Sequence, residues 1–308
     1  MKTGVVIKST GSWFNVQNDD GEIIPCRIRG RIRLDGIRST NPVAVGDRVK
    51  YDFDPQTKNG VITEICDRKN YIIRRSTNLS KQTQIIAANI DQAILMVTIN
   101  YPVTTYLFID RFLASCQAYR IPCVIIFNKI DQYGDEENEM LTIYRDVYEN
   151  IGYKTMSISA TEQESLDDVK ELLKDKTSLI SGHSGVGKST LINKLEPGLD
   201  LKTAAISDVH LTGRHTTTFA EMHPFSFGGY VIDTPGIRGF GLADVEKEEL
   251  YHFFVEFFEY SKDCHFHNCQ HLNEPNCAVK EAVENGEIAE SRYDSYASIY
   301  FNRDEKYR

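Results

Sequence analysis

The chain has 308 residues, of which 41% are hydrophobic and 26% are charged, a composition typical of globular domains and not of disordered or fibrous proteins. This length suffices for two or three domains with buried cores. The formal net charge of −9 argues against a surface coated throughout by nucleic acid. No apolar stretch approaches the length of a membrane span, and no signal sequence precedes the first predicted strand. A cytoplasmic protein that makes no use of a membrane is therefore expected.

Five short runs of strand-forming residues, separated by polar turns, predict a small β-barrel in residues 1–68. The runs are 4–9, 13–18, 23–30, 47–54 and 61–65. From the third run onward arginine recurs at every second position, at Arg27, Arg29, Arg31 and Arg33, so these four would share one basic face of an extended segment. Such a face suits RNA phosphates, although a solvated edge strand with no ligand fits the same pattern.

From about residue 90 the pattern changes to strands that alternate with helices, which is typical of a doubly wound parallel sheet. The predicted strands are 93–100, 123–128, 153–159, 177–181 and 229–232. The predicted helices include 105–119 and 188–195. A further helix, which Ser165 would cap, is predicted between the strands 153–159 and 177–181. The chain from about residue 244 is helical and acidic. Three domains follow: a barrel at 1–68, an α/β domain at 69–243 and a helical module at 244–308.

A phosphate-binding loop follows the strand 177–181. Its residues, Gly182-His183-Ser184-Gly185-Val186-Gly187-Lys188-Ser189, fit G-x-x-x-x-G-K-[ST], and Thr190 comes next. Glycines let backbone N–H groups converge on phosphate oxygens at the N-terminus of a helix. Lys188 should reach the β- and γ-phosphates, and the Ser189 hydroxyl should bind Mg²⁺. A glycine-rich turn that binds nothing is the alternative.

A second motif, Asn128-Lys129-Ile130-Asp131, ends the strand 123–128. The Asp131 carboxylate can accept hydrogen bonds from guanine N1 and N2, which adenine does not offer. Lys129 would lie along the nucleotide plane, and Asn128 would tie this loop to the phosphate loop. Ser159 and Ala160, after the next strand, fit the short loop whose backbone meets the guanine carbonyl.

A third motif, Asp233-Thr234-Pro235-Gly236, follows the strand 229–232. Asp233 would hold Mg²⁺ through water and the Gly236 N–H would sense the γ-phosphate, although an ordinary Pro-Gly turn is the alternative. In familiar GTPases the phosphate loop comes first, whereas here the Asn128–Asp131 motif precedes it. A circular permutation keeps such a site intact, because ligand loops need to meet at one edge of a parallel sheet and not in sequence.

With these motifs, the run Gly213-Arg214-His215-Thr216-Thr217-Thr218 and the terminal Cys/His set, the chain resembles the RsgA family of circularly permuted GTPases, also called YjeQ or YloQ. The resemblance covers nearly the whole chain. It implies an OB-like RNA-binding barrel and slow hydrolysis of GTP to GDP that is stimulated by the 30S ribosomal subunit. It also implies a role in late maturation of that subunit and contact with its 16S rRNA. We expect a monomer.

The terminal cluster contains Cys264, Cys269, His271 and Cys277, three thiolates and one imidazole that would close a tetrahedral structural Zn²⁺ site. The spacing also matches the zinc motif of the family. An odd number of cysteines, seven in all, and the absence of an export signal favour metal over disulfide chemistry. His265 and His267 remain competing ligands.

The glutamine that usually positions the attacking water after D-x-x-G is replaced by Ile237, so another group must supply that function. The resemblance favours His215, which could orient water or act as a base, although a solvated loop residue is the alternative. Among the three threonines of this run, Thr217 is the one expected to bind Mg²⁺. Hydrolysis at about 10⁻⁴ to 10⁻² per second is predicted unless a partner completes the site. Two other functions stay open: an RNA scaffold that holds GTP with negligible turnover, and a P-loop enzyme that uses ATP.

Overall fold

A computed structural model of the chain describes residues 1–28, 42–75, 83–199, 220–233, 242 and 245–301. The fold divides into two compact units, Met1–Ile94 with Ala160–Phe240, and Leu95–Ser159 with Gly241–Arg308. The boundaries of the three predicted domains stay a prediction. Among the described residues, no helix combines the length and the apolar character needed to cross a membrane.

The first unit opens with the predicted barrel, and its strands are β1 (Lys2–Ser9), β2 (Phe14–Asn18), β3 (Ile23–Ile28), β4 (Arg48–Asp54) and β5 (Asn59–Ile65). β1 pairs with both β2 and β4, β2 with β3, β3 with β5, and β5 with β4, so the pairings close on themselves. Alternate side chains point inward, as a two-residue period requires, and Val6, Phe14, Val16, Tyr51 and Ile62 are fully buried. The expected barrel is confirmed.

The first unit also contains the hairpin of β6 (Tyr71–Arg75) and β7 (Thr83–Ala88), and the strands β11 (Thr177–Ser181), β12 (Glu221–Pro224) and β13 (Tyr230–Asp233). The sequence prediction did not include β6, β7 or β12. The strand order β11-β13-β12-β1 joins β11, β12 and β13 to the barrel in one hydrogen-bonded sheet, whereas β6 and β7 form a separate sheet. Lys8 of β1 lies opposite Glu221 of β12, and their side chains form an ion pair at 3.1 Å.

The helices of this unit are α3 (Gln163–Leu173) and α4 (Lys188–Leu195). The prediction that Ser165 caps α3 is wrong, because the helix begins two residues before it and Glu162 occupies the N-cap. The first turn of α3 is exposed at Gln163 and Glu164, and the Glu162 side chain makes no capping hydrogen bond. The buried apolar stripe of Leu166, Val169 and Leu172 begins after that turn.

The second unit contains β8 (Gln92–Val97, in which the boundary between the units falls), β9 (Cys123–Asn128) and β10 (Lys154–Ile158), in the order β10-β9-β8. β9 and β10 are parallel, with Asn128 opposite Ile158. The helices are α1 (Tyr106–Ala118), α2 (Asp135–Glu149), α5 (Val255–Ser261), α6 (Ala278–Glu284) and α7 (Glu290–Tyr300), with a 3-10 helix at Lys247–Phe253. An aromatic core that includes Phe254, Phe257 and Tyr296 joins the C-terminal helices to Ala114 of α1.

Candidate nucleotide-binding and metal sites

The phosphate loop occupies the turn between β11 and α4. Gly187 precedes α4 with a φ of 104° and Gly185 has a φ of 85°, values that glycine adopts without strain. Lys188 begins the helix and is only 8% exposed, and its Nζ donates to the carbonyl oxygens of Gly182 at 2.7 Å and His183 at 2.6 Å. These bonds compensate the nearly buried ammonium. They also hold it inside a glycine-lined turn, at the helix end that favours anions.

The strand that leads into the third motif, β13, lies next to β11. β11 and β13 run parallel, with Leu179 opposite Ile232. Asp233, the last residue of β13, therefore leaves the sheet at the same edge as the phosphate loop. Ser189 lies on the first turn of α4 and is 8% exposed, and its hydroxyl oxygen is a hard ligand of the kind that Mg²⁺ prefers. Predicted residues outside the described part of the chain are Gly236, Ile237, Thr217 and His215.

The predicted guanine loop leaves the edge of the second unit where β9 and β10 end. Asn128 ends β9 and is 2% exposed, Ile130 opens a short 3-10 turn, and Asp131 is exposed. Ser159 follows β10 at the same edge and is fully buried, and Ala160, the next residue, is 5% exposed. The structure thus brings Asn128, Asp131 and Ser159 together at one sheet edge.

Two side chains brace this loop, and one of them, Tyr133, was missed by the sequence prediction. The Tyr133 hydroxyl donates to the Asn128 carbonyl at 2.8 Å and accepts from the Ile99 N–H at 3.0 Å. Burial raises the pKa of Tyr133 above its usual range, which keeps this hydroxyl a donor at neutral pH. Lys129 has a left-handed backbone with a φ of 69°, and its Nζ donates to the Tyr101 carbonyl at 2.8 Å. Hydrogen bonds to Ile99 and Tyr101 therefore hold this loop in place, while Asp131 remains exposed.

The Cys/His cluster has the geometry of a tetrahedral metal site. One ligand atom from each of Cys264, Cys269, His271 and Cys277 lies within 4.8 Å of the others. The sulfur atoms of Cys264 and Cys277 are 3.9 Å apart, and His271 Nδ1 lies 3.5 and 3.4 Å from them. In a tetrahedral zinc site with Zn–S bonds of about 2.3 Å, neighbouring sulfurs lie about 3.8 Å apart. The donor set therefore fits Zn²⁺, and the sulfur separation excludes a disulfide between these two residues.

The choice among the histidines is settled by their surroundings. His271 is 1% exposed, and burial lowers its pKa to about 4, so the imidazole is neutral at pH 7 as a ligand must be. Within the described residues His265 and His267 are exposed and lie outside the cluster. Helix α7 supports the ligand loop, because Tyr293 donates to the His271 carbonyl at 2.8 Å and Tyr296 donates to the Gln270 carbonyl at 2.9 Å. The site is thus built into the core of the module.

Of the four arginines predicted to form the basic face of the barrel, the structure describes only Arg27. Arg27 on β3 is exposed while its neighbour Cys26 is fully buried, so the predicted alternation holds at this point. The Arg27 guanidinium lies over the Trp13 ring, 3.9 Å from its centroid. Arg29, Arg31 and Arg33 lie outside the described residues. The guanidinium therefore covers one face of the Trp13 ring while the Arg27 residue remains exposed.

Comparison with known proteins accounts for nearly the whole chain. The RsgA GTPase family matches residues 65–243, and the RsgA N-terminal domain matches residues 3–62. The chain is 56% identical to the small ribosomal subunit biogenesis GTPase RsgA of Bacteroides fragilis over 99% of this chain and 98% of that protein. It is 53% identical to the RsgA of Christiangramia forsetii over 99% of this chain and 98% of that protein.

Solved structures agree with these matches. The crystal structure of YjeQ from Thermotoga maritima superposes with a TM-score of 0.81 at 37% identity, covering 98% of both chains. YloQ, a circularly permuted GTPase, superposes with a TM-score of 0.77 at 33% identity, covering 100% of this chain and 96% of that one.

Proposed function

The chain belongs to the RsgA family of GTPases, and from this premise we propose that it serves the biogenesis of the small ribosomal subunit by hydrolysing GTP to GDP and phosphate. The main structural support for this proposal is the position of the Lys188 ammonium, which donates to two carbonyl oxygens of its own glycine turn. A lysine so placed exchanges these neutral partners for phosphate oxygens when a nucleotide binds, and it then stabilises the charge that develops during phosphoryl transfer.

Each predicted residue has a defined task in this proposal. The loop Gly182–Thr190 binds the phosphates, and Asn128, Lys129, Ile130 and Asp131, with Ser159 and Ala160, bind the base. Ser189, Thr217 and Asp233 would hold Mg²⁺, which when bound neutralises charge on the β- and γ-phosphate oxygens. His215 positions the attacking water, because the Ile237 side chain has no group that could. Gly236 reports the γ-phosphate.

The partner in the proposal is the 30S subunit, with the barrel on its 16S rRNA. Arg27 supports this contact, because it is exposed on β3 and its guanidinium suits a phosphate. We propose that Arg29, Arg31 and Arg33 extend this basic face. The protein acts as a monomer in the cytoplasm, and its three domains span 1–68, 69–243 and 244–308.

A multiple-turnover assay with and without purified 30S subunits tests the catalytic part. The free protein should hydrolyse GTP at about 10⁻⁴ to 10⁻² per second, and 30S subunits should raise that rate. Lys188→Ala should abolish turnover, whereas Lys194→Ala, an exposed lysine at the other end of α4, should leave it unchanged. Negligible turnover even with 30S subunits would favour a GTP-binding scaffold, and equal activity of the Lys188 variant would refute the assigned role.

A specificity switch tests the base-binding part. In Asp131→Asn the amide oxygen can still accept from N1, but the amide NH2 meets the 2-amino group of guanine donor to donor, whereas it can donate to the extra carbonyl of xanthine. Because one hydrogen bond is lost and the other loses its charge, GTP affinity should fall at least about 100-fold and XTP should become the preferred nucleotide. The matched control is Asp135→Asn, an exposed aspartate in the first turn of α2. Tighter binding of ATP than of GTP by the wild-type protein would contradict guanine recognition.

A further inference from the structure

Three charged side chains are buried together in the second unit. Arg292 of α7 is 1% exposed and Asp110 of α1 is fully buried, and the Arg292 Nη1 donates to Asp110 Oδ1 at 2.7 Å. Arg292 also donates through Nε and Nη2 to the two carboxylate oxygens of Glu256 on α5, at 2.6 and 3.0 Å. Its guanidinium lies over the Phe254 ring, 4.5 Å from the centroid. Because buried charges are costly unless they are paired in good geometry, this network permits few arrangements of α7 against α1.

Helix α2 joins the same network from the other side. The Tyr148 hydroxyl donates to Asp110 Oδ1 at 2.9 Å, so one carboxylate oxygen receives bonds from both α2 and α7. One turn earlier on α2, the Tyr144 ring stacks on Tyr106 of α1 at 4.0 Å between centroids. Asp110 is therefore the point at which three helices meet.

The segment 98–104, which precedes α1, connects the buried charge network to the guanine loop. The Thr104 carbonyl accepts from Tyr144 at 3.1 Å, and the Thr104 N–H donates to the Thr98 carbonyl at 3.1 Å. Within the segment enclosed by these two residues lie the two groups that brace the loop, the Ile99 N–H bound to Tyr133 and the Tyr101 carbonyl bound to Lys129. A displacement of the start of α1 would therefore move both supports of the loop together.

We propose that Arg292 is a positioning residue for base recognition. By holding Asp110 it fixes α1, and through α1 it fixes the segment 98–104 against which the guanine loop rests. This inference rests on the proposed function, because it assumes that Asp131 contacts guanine. It assigns to the C-terminal module a part in nucleotide specificity, since α7 holds both Asp110 and, through Tyr293, the backbone of the zinc loop.

The test compares guanosine and inosine diphosphates, because inosine lacks the 2-amino group that Asp131 would contact. Two variants of the full chain weaken the network: Arg292→Met, and Asp110→Asn, which leaves Arg292 paired with Glu256 as one buried positive and one buried negative group. The matched control is Arg145→Met, because Arg145 is paired with Glu149 on α2 in an exposed position, with 43% and 40% of the two side chains accessible. Affinities are measured with fluorescent GDP and IDP, after the zinc content and helical signal of each variant are checked.

Both network variants should weaken GDP binding at least about fivefold and IDP binding less, so that discrimination between the two bases falls. The Arg145 variant should behave as wild type. Hydrogen exchange should accelerate in peptides covering 98–104 and 128–133 and stay unchanged in the phosphate loop 182–190. A folded Asp110→Asn protein with wild-type discrimination would overturn the inference, as would equal acceleration in both loops. A wild-type protein with no preference for GDP over IDP would instead overturn the base-binding proposal on which it rests.

Discussion

Replacement of Arg68 by methionine tests how firmly the segment after the barrel is held to it. Asp47 is fully buried, and its two carboxylate oxygens accept from Arg68 Nε and Nη2, each at 2.6 Å, while the Ala44 N–H donates to Oδ2 at 2.8 Å. Arg68 is 8% exposed at its side chain and also donates to the Pro42 carbonyl at 2.7 Å. Methionine fills similar space but leaves the carboxylate with one backbone donor.

The expected loss is about 3–5 kcal/mol of unfolding free energy near neutral pH, the range for breaking a buried ion pair by removing one partner. Burial already raises the pKa of Asp47 above its ordinary value of 3.8, against the lowering influence of Arg68. Without Arg68 the pKa should rise further, so the folded state takes up a proton more readily than the unfolded chain. The stability deficit of the variant should therefore grow as pH rises through this raised pKa, and shrink as pH falls toward 3.8.

Urea unfolding followed by tryptophan fluorescence measures this loss, because Trp13 in the barrel is the single tryptophan of the chain. The control is Lys69→Met, which removes an adjacent ion pair to Asp91 whose side chains are 48% and 37% exposed and should cost at most about 1 kcal/mol. A loss for Arg68→Met within 1 kcal/mol of the control, or one that does not vary with pH, would refute the reasoning.

Two further predictions concern the zinc site and the barrel. Cys277→Ser should lose the bound zinc and lower the melting temperature by at least about 10 °C, whereas Cys66→Ser, outside the cluster, should keep one zinc per chain by metal analysis. Gly46→Ala should destabilise the first unit by about 2–4 kcal/mol, because its Cβ would lie 2.1 Å from the Ala88 carbonyl oxygen at a φ of +86°. Gly21→Ala has a similar φ of +84° but open space, and should cost about 1 kcal/mol in the same urea titration. Zinc retained by the Cys277 variant, or equal losses for the two glycine variants, would contradict these expectations.

Motifs that occupy a continuous stretch of chain were predictable because their chemistry is local. The turn Gly182–Lys188 and the strand-end motif Asn128–Asp131 carry their own backbone geometry, and the predicted β9, β11 and α4 have the observed bounds. The match to the family's zinc spacing predicted His271 over the competing His265 and His267, and the cluster confirms it, but the spacing gives no physical reason for the choice. That choice depends on which imidazole the α7 tyrosines help to enclose, and those tyrosines lie more than twenty residues away.

The sequence by itself determined the order of barrel, permuted GTPase and zinc module, because each is specified by local periodicity and by short runs of chemically specialised residues. Only the tertiary structure decided which charges are buried. Asp110 and Arg292 are 182 positions apart, and Asp47 and Arg68 are 21 apart. Each of these residues alone resembles a solvated surface charge in the sequence. Their pairing exists only because particular helix and strand faces come together and exclude water, and no local pattern encodes that encounter.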